Sequence, residues 1–130
     1  MRDIMRQAKL AAAKNLASGS QLPDDIEEVY YDIPMRDGAT IKARVFIPNN
    51  APSDGAPLIV QIHGGGYVIG DLDSELMTCT RLTQELGLVT VNIDYRLAPE
   101  HKFPTAVTDG YDAVKWVCPI LLHLQCVRSH

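Results

Sequence analysis

The sequence predicts an α/β fold, on three observations. Residues 58–62 (Leu58-Ile59-Val60-Gln61-Ile62) and 88–93 (Leu88-Val89-Thr90-Val91-Asn92-Ile93) are short, largely apolar runs of the kind buried between helical layers. Between them lies a helical segment that Asp73 or Ser74 can cap and Gly87 can stop. Strand, helix, strand in that order is a right-handed βαβ unit, so the two strands should run parallel.

The elements follow in order along the chain. Residues 1–20 read as a cap or lid helix: Ile4, Met5, Ala8, Ala11, Ala12 and Leu16 form an apolar side beside Arg2, Arg6, Lys9 and Lys14. Ser18-Gly19-Ser20 and Leu22-Pro23 then break it, since Gly and Pro continue a helix only at a cost. Two β-rich runs, 28–33 and 40–47, flank a short turn at Met35-Arg36-Asp37-Gly38, as in an antiparallel hairpin. In the second run Ile41, Ala43, Val45 and Ile47 alternate with Thr40, Lys42, Arg44 and Phe46, which gives one mostly apolar face. A proline-rich linker, 48–57, leads to the first buried strand. In the helix before Gly87 the inward-facing candidates are Leu76, Met77, Thr80, Leu82 and Leu86. Pro104 suits the first position of a further helix, with Ala106, Val107, Tyr111, Val114 and Val117 about one turn apart.

Composition narrows the function. The chain has 130 residues, 46% hydrophobic, with a net charge of −4 and a pI near 5.4. No basic excess is available to neutralise phosphates, so nucleic acid is not an expected partner. Cys79, Cys118 and Cys126 are odd in number and form no Cys-x-x-Cys pair, which speaks against a disulfide framework or a redox motif. No run approaches the roughly 18 apolar residues of a membrane span, and the N-terminus lacks the apolar core of a secretion signal. A cytoplasmic protein is the expectation, with mitochondrial import through the basic N-terminal helix as the lesser reading.

The glycine cluster after the first buried strand admits two chemical readings. Gly64, Gly66 and Gly70, with Asp94 closing the next strand, have the outline of a dinucleotide-binding turn. Tyr67, Val68 and Ile69 interrupt that turn, and a bare glycine spacing is weak support. The other reading uses more residues. An oxyanion can be held by backbone N–H groups only where side chains leave room, and consecutive glycines after a strand provide that.

His63-Gly64-Gly65-Gly66-Tyr67 resembles the His-Gly-Gly-Gly-aromatic motif of the hormone-sensitive-lipase-like esterases, an α/β-hydrolase family. The block Asp94-Tyr95-Arg96-Leu97-Ala98-Pro99-Glu100, followed by Phe103-Pro104 and a helix, resembles that family's second signature. The resemblance runs from about residue 26 to 117. It implies oxyanion donors at Gly65 and Gly66, a loop turned at Gly64 and pinned by the His63 side chain, and Tyr67 lining the substrate pocket. It further implies that Asp94, Arg96 and Glu100 brace the loop, with Arg96 and Glu100 as an ion pair and Asp94 outside the catalytic triad. The substrate would be a small acyl ester, with no cofactor and no metal.

No Gly-x-Ser-x-Gly elbow is present, and none of Ser18, Ser20, Ser53, Ser74 or Ser129 sits between glycines at that spacing. None of the triad is therefore present. Residues 118–130 hold two of the three cysteines and two of the four histidines, a shift that suggests a divergent tail. A metal site from Cys118, His123, Cys126 and His130 matches no defensible zinc spacing. The expectation is an incomplete α/β-hydrolase fold over 26–117, an antiparallel hairpin leading into a parallel sheet with flanking helices. It would be truncated before the nucleophile, inactive alone, and aggregation-prone where the strand at 58–62 lacks a neighbour. The rival is a non-catalytic small-molecule receptor on the same fold, with the N-terminal helix as its lid.

Overall fold

A computed structural model describes residues 22–52 and 54–127, the side chains beyond Pro119 excepted. The expected lid helix, the side chains of His123 and Cys126, the whole of His130 and the serines of the first 20 residues lie outside what is described. The elements are β1 (Ile26–Pro34), β2 (Thr40–Pro48), β3 (Leu58–Ile62), α1 (Leu76–Leu86), β4 (Val89–Ile93) and α2 (Thr105–Val127).

The hairpin forms as the alternation requires. β1 and β2 pair antiparallel with Val29 opposite Val45 and Ile33 opposite Ile41. Gly38, at φ 84°, closes the turn by donating its N–H to the Met35 carbonyl at 3.0 Å. β4 then lies against β2 antiparallel and against β3 parallel, so the order is β1-β2-β4-β3. The parallel pair is the expected βαβ unit, and β3 ends at the sheet edge.

Each helix takes one face. Ile41, Ala43, Val45 and Ile47 of β2 join Val89, Val91 and Ile93 of β4 beneath Ala113 and Val117 of α2. On the other face Phe46, fully buried, packs with Ile26 and Cys79 of α1. Burying a side chain of that size is worth about 2 to 3 kcal/mol. β2 is thus buried on both faces. Arg44, 7% exposed, is tolerated there because Glu28 and Asp73 both accept from its guanidinium, Asp73 at 2.8 Å.

The helices depart from expectation in their faces and starts. α1 begins at Leu76 with Glu75 in the cap position and no side-chain cap, because the Ser74 hydroxyl is engaged by Asp71 instead. Its buried positions are Cys79 and Thr83, while Met77 and Leu86 are exposed. The Thr83 hydroxyl bonds that of Thr90 in β4 at 3.0 Å, which lets polar residues occupy the inner stripe. In α2 the buried positions are Asp109, Gly110, Ala113 and Val117. The larger Val107, Tyr111 and Val114 point outward. Small residues face the sheet where the helix approaches closely. Pro104 precedes the first helical residue, its carbonyl accepting from Thr108 N–H at 2.9 Å. The helix continues through Cys118 and Pro119 to Val127, so no element boundary falls at 118.

Candidate functional site

β3 delivers the chain at Ile62 into a tight loop, 63–70. Gly65 (φ 127°) and Gly70 (φ 130°) occupy backbone conformations closed to ordinary side chains. A Cβ on Gly65 would stand 1.9 Å from the Ile69 carbonyl oxygen, and one on Gly70 would stand 2.0 Å from His63 Nδ1. Val68 and Ile69 both donate to the Gly65 carbonyl at 3.2 Å, which curls the segment onto itself.

His63 is the plug beneath the loop. It is 2% exposed and stacks on Tyr95 with ring centroids 4.2 Å apart, 15° from parallel. Its Nδ1 lies 2.9 Å from the Gly64 carbonyl, a distance that assigns the proton to Nδ1 as donor. Nε2 has no partner among the described residues. The Tyr95 hydroxyl donates to the His63 carbonyl at 2.9 Å, and Ala98 N–H donates to that of Tyr67, also at 2.9 Å. The glycine loop is therefore fastened to residues 95–98. Tyr67 itself is exposed, edge-on to Tyr95.

The amides of Gly65 and Gly66 make no hydrogen bond among the described residues. Gly66 is exposed and Gly65 half-buried. Held in a rigid loop and open to solvent, such amides can donate to an anion without first breaking another bond.

Arg96 anchors the second block. Its Nε and Nη2 donate to Asp109 at 2.9 and 2.6 Å, its backbone N–H donates to the same carboxylate at 3.0 Å, and Nη1 reaches Asp37 at 2.7 Å. The bracing partners are thus Asp109 and Asp37, where the sequence suggested Glu100. Asp109 is 1% exposed, and this fork geometry satisfies a carboxylate that would otherwise be costly to bury. Asp109 raises the Arg96 pKa, with Asp37 adding to it, and Arg96 in turn lowers that of Asp37. One arginine ties the β1–β2 turn, the end of β4 and the first turns of α2 together.

Asp94 is half-buried, and burial pushes its carboxyl upward; nearby His63 opposes that and Asp71 adds to it. Its backbone N–H donates to the Lys42 carbonyl at 2.9 Å. Asn92, fully buried, donates from Nδ2 to the Leu72 carbonyl at 2.7 Å and so holds the segment after the loop against β4.

Sequence reasoning missed Asp109, Asp37, Tyr95 and Asn92 as parts of this framework. A signal for Asp109 was present: it shares with Ala113 and Val117 a spacing of four, which places an acid on the sheet-facing stripe. Among the described residues no group of His, Cys, Asp and Glu is arranged to hold a metal ion. No described helix is long and apolar enough to cross a membrane.

Comparison with known proteins identifies the fold in which this loop sits. Residues 59–120 match a family described as alpha/beta hydrolase fold. The chain is 37% identical over 103 residues to an ethyl acetate hydrolase of Pseudomonas putida, covering 78% of this chain and 32% of that protein. It is 35% identical over 113 residues to the carboxylic ester hydrolase LipN of Mycobacterium tuberculosis, covering 87% and 29%. Among solved structures it resembles EstE1, a thermophilic carboxylesterase from a metagenomic library, with TM-score 0.80 and 37% identity over 96% of this chain and 41% of that one. A bacterial heroin esterase superposes with TM-score 0.85 at 30% identity, covering 92% and 38%. The chain spans about a third or less of these two curated relatives.

Proposed function

Because the chain belongs to the alpha/beta hydrolase fold family, we propose that it is the oxyanion-binding segment of a carboxylic ester hydrolase. The observation that carries this reading is the pair of unpartnered amides at Gly65 and Gly66, in a loop whose shape is fixed by His63, Tyr95 and Gly70. Ester cleavage by a serine hydrolase passes through a tetrahedral intermediate whose oxygen gains a full charge. Two fixed N–H donors lower the energy of that charge without reorganising, each typically by about 3 to 4 kcal/mol. Tyr67, exposed at the mouth of the loop, lines the acyl or alcohol pocket. Asp94 is structural and does not serve as the triad acid.

The 130 residues supply no serine nucleophile in an elbow, so the chain alone does not turn over esters. The function is tested in a chimera, with this chain's residues 59–120 replacing the aligned part of the Pseudomonas putida hydrolase. Gly66→Ala keeps the amide and adds a Cβ into open space, at a left-handed φ of 61°; replacing Gly66 by its ester analogue, glycolate, turns the N–H into an oxygen while leaving that angle accessible, since it adds no side chain. With p-nitrophenyl butyrate, kcat should fall on the order of 10² to 10³-fold further for the ester variant than for the alanine one, with KM little changed. Equal kcat values in the two variants, or hydrolysis by the purified 130-residue chain itself, would refute the reading.

A further inference from the structure

Two buried polar atoms beneath the glycine loop have no partner among the described residues, His63 Nε2 and Asn92 Oδ1. Residues already in place seal both from solvent, so whatever satisfies them is packed beside them within this part of the chain. Alternation along the strands limits the candidates. Leu58 and Val60 pack into the cluster under α2, and a Cβ on Gly110 of α2 would lie 3.5 Å from Ile62 Cδ1. Gln61 therefore takes the opposite face, where Asn92 is its partner in the ladder, and its carboxamide is the donor available to Asn92 Oδ1. Past the last pair, Ile62 with Ile93, the next residues of the two strands are His63 and Asp94. These two interact electrostatically.

We infer that Asp94 is the positioning residue of the glycine loop, and that its carboxyl and His63 Nε2 hold one proton between them. The inference rests on the reading of that loop as an oxyanion site. His63 Nδ1 donates to the Gly64 carbonyl at 2.9 Å, so the neutral ring's own proton is used there. Nε2 is then a bare lone pair unless a further proton is supplied, and half-buried Asp94 is the acid beside it. With that proton the contact is O–H···N or N–H···O, a satisfied pair in either form; without it two acceptors face each other. The surroundings favour keeping the proton. Burial raises the affinity of Asp94 for it, Asp71 adds to that, and His63 opposes it. Asp71 itself accepts from the Ser74 hydroxyl and the Asp73 N–H. The neighbouring cations are committed elsewhere: Lys42, whose carbonyl accepts from the Asp94 N–H, pairs with Asp32, and Arg96 with Asp109 and Asp37. The His63 ring is stacked on Tyr95 and fills the space that a Cβ on Gly70 would need, so its position reaches both ends of the loop. The pair therefore stabilises the loop at low pH, and that contribution is lost as pH rises through its midpoint.

Long-range ¹H–¹⁵N correlation spectra of the 130-residue chain, labelled at histidine and glycine, read the ring and the loop directly over a pH series. They do not measure ester hydrolysis, so this inference and the proposed function fail separately. Nδ1 should stay protonated throughout, and His63 Nε2 should change with one midpoint shared by the amide signals of Gly64, Gly65 and Gly70. Asp94→Asn supplies a carboxamide N–H that does not titrate. In that variant the shared midpoint should vanish, with the loop amides fixed at their low-pH wild-type positions, whereas Asp94→Ala should hold them at the high-pH positions. The wild-type series alone decides the matter if a variant fails to fold. A shared midpoint that survives in Asp94→Asn would overturn the inference. So would Nε2 and loop amides that titrate apart, no transition at Nε2 over the pH range in which the chain stays folded, or a ring protonated at Nε2 and not at Nδ1.

Discussion

β3 and β4 are neighbouring five-residue strands of nearly the same composition, yet every residue of β4 is buried and none of β3 is. β4 has β2 on one side and β3 on the other, with helices over both faces; β3 has a single described neighbour. An apolar run shows that a strand suits a dry environment without saying how many strands surround it. The difference continues beyond the strand ends. β4 runs into Arg96, which Asp109 holds through both guanidinium and backbone N–H and Asp37 holds through Nη1. β3 runs into the glycine loop, whose hold on the body is the stacking of His63 on Tyr95 and two bonds from residues 95–98. The loop offering free donors thus hangs from the less supported strand, while the scaffold that fixes its shape comes from the better supported one.

That contrast can be broken by substitution. The largest effect belongs to the anchor after β4: Asp109→Ala leaves the Arg96 guanidinium, 17% exposed, without its buried partner. It should lower unfolding free energy by about 3 to 5 kcal/mol in urea titration. Asp32→Ala, which removes a similarly short (2.8 Å) but exposed contact with Lys42, should leave the midpoint unchanged. A comparable loss for the two would mean that burial does not decide the strength of these pairs. Next come the strands themselves. Ile93→Ala in β4, at a fully buried site, should cost about 2 to 5 kcal/mol, whereas Ile62→Ala in β3 should cost about 1 or less. Equal costs would show that β3 is as well enclosed as β4.

The strands were more legible in the sequence than the faces of the helices. The β-rich run at 28–33, alternation in 40–47 and the compact apolar runs at 58–62 and 88–93 located four strands to within about two residues, because period-two patterning and proline-rich linkers leave few alternatives. Helix faces were harder. In the first helix the sequence offers Met77 and Leu86 as inward candidates and in the second it marks Val107, Tyr111 and Val114 as about one turn apart, but the sheet receives Cys79, Thr83, Asp109, Gly110 and Ala113. Close helix-to-sheet approach selects small residues, and buried polar residues pair across the interface, neither of which hydrophobicity reports. Arg96 shows the same limit. Glu100 is near in sequence, while Asp109 and Asp37 lie 13 and 59 residues away and come together only through the fold. The glycine loop was legible because its backbone angles permit few other residues. The hydroxyl of Tyr95 beneath it was not, since nothing local marks where a tyrosine will donate.

Residue-resolved amide exchange at low protein concentration tests the contrast between the strands most directly. The amides of Thr90 and Asn92, which face β2, should exchange with the free energy of global unfolding, those of Ile59, Gln61, Val91 and Ile93 in the β3–β4 ladder somewhat faster, and those of Leu58, Val60 and Ile62 by local solvent contact. Uniform, strong protection across Leu58–Ile62 in the dilute chain would contradict it, because β3 would then have a partner on its outer side.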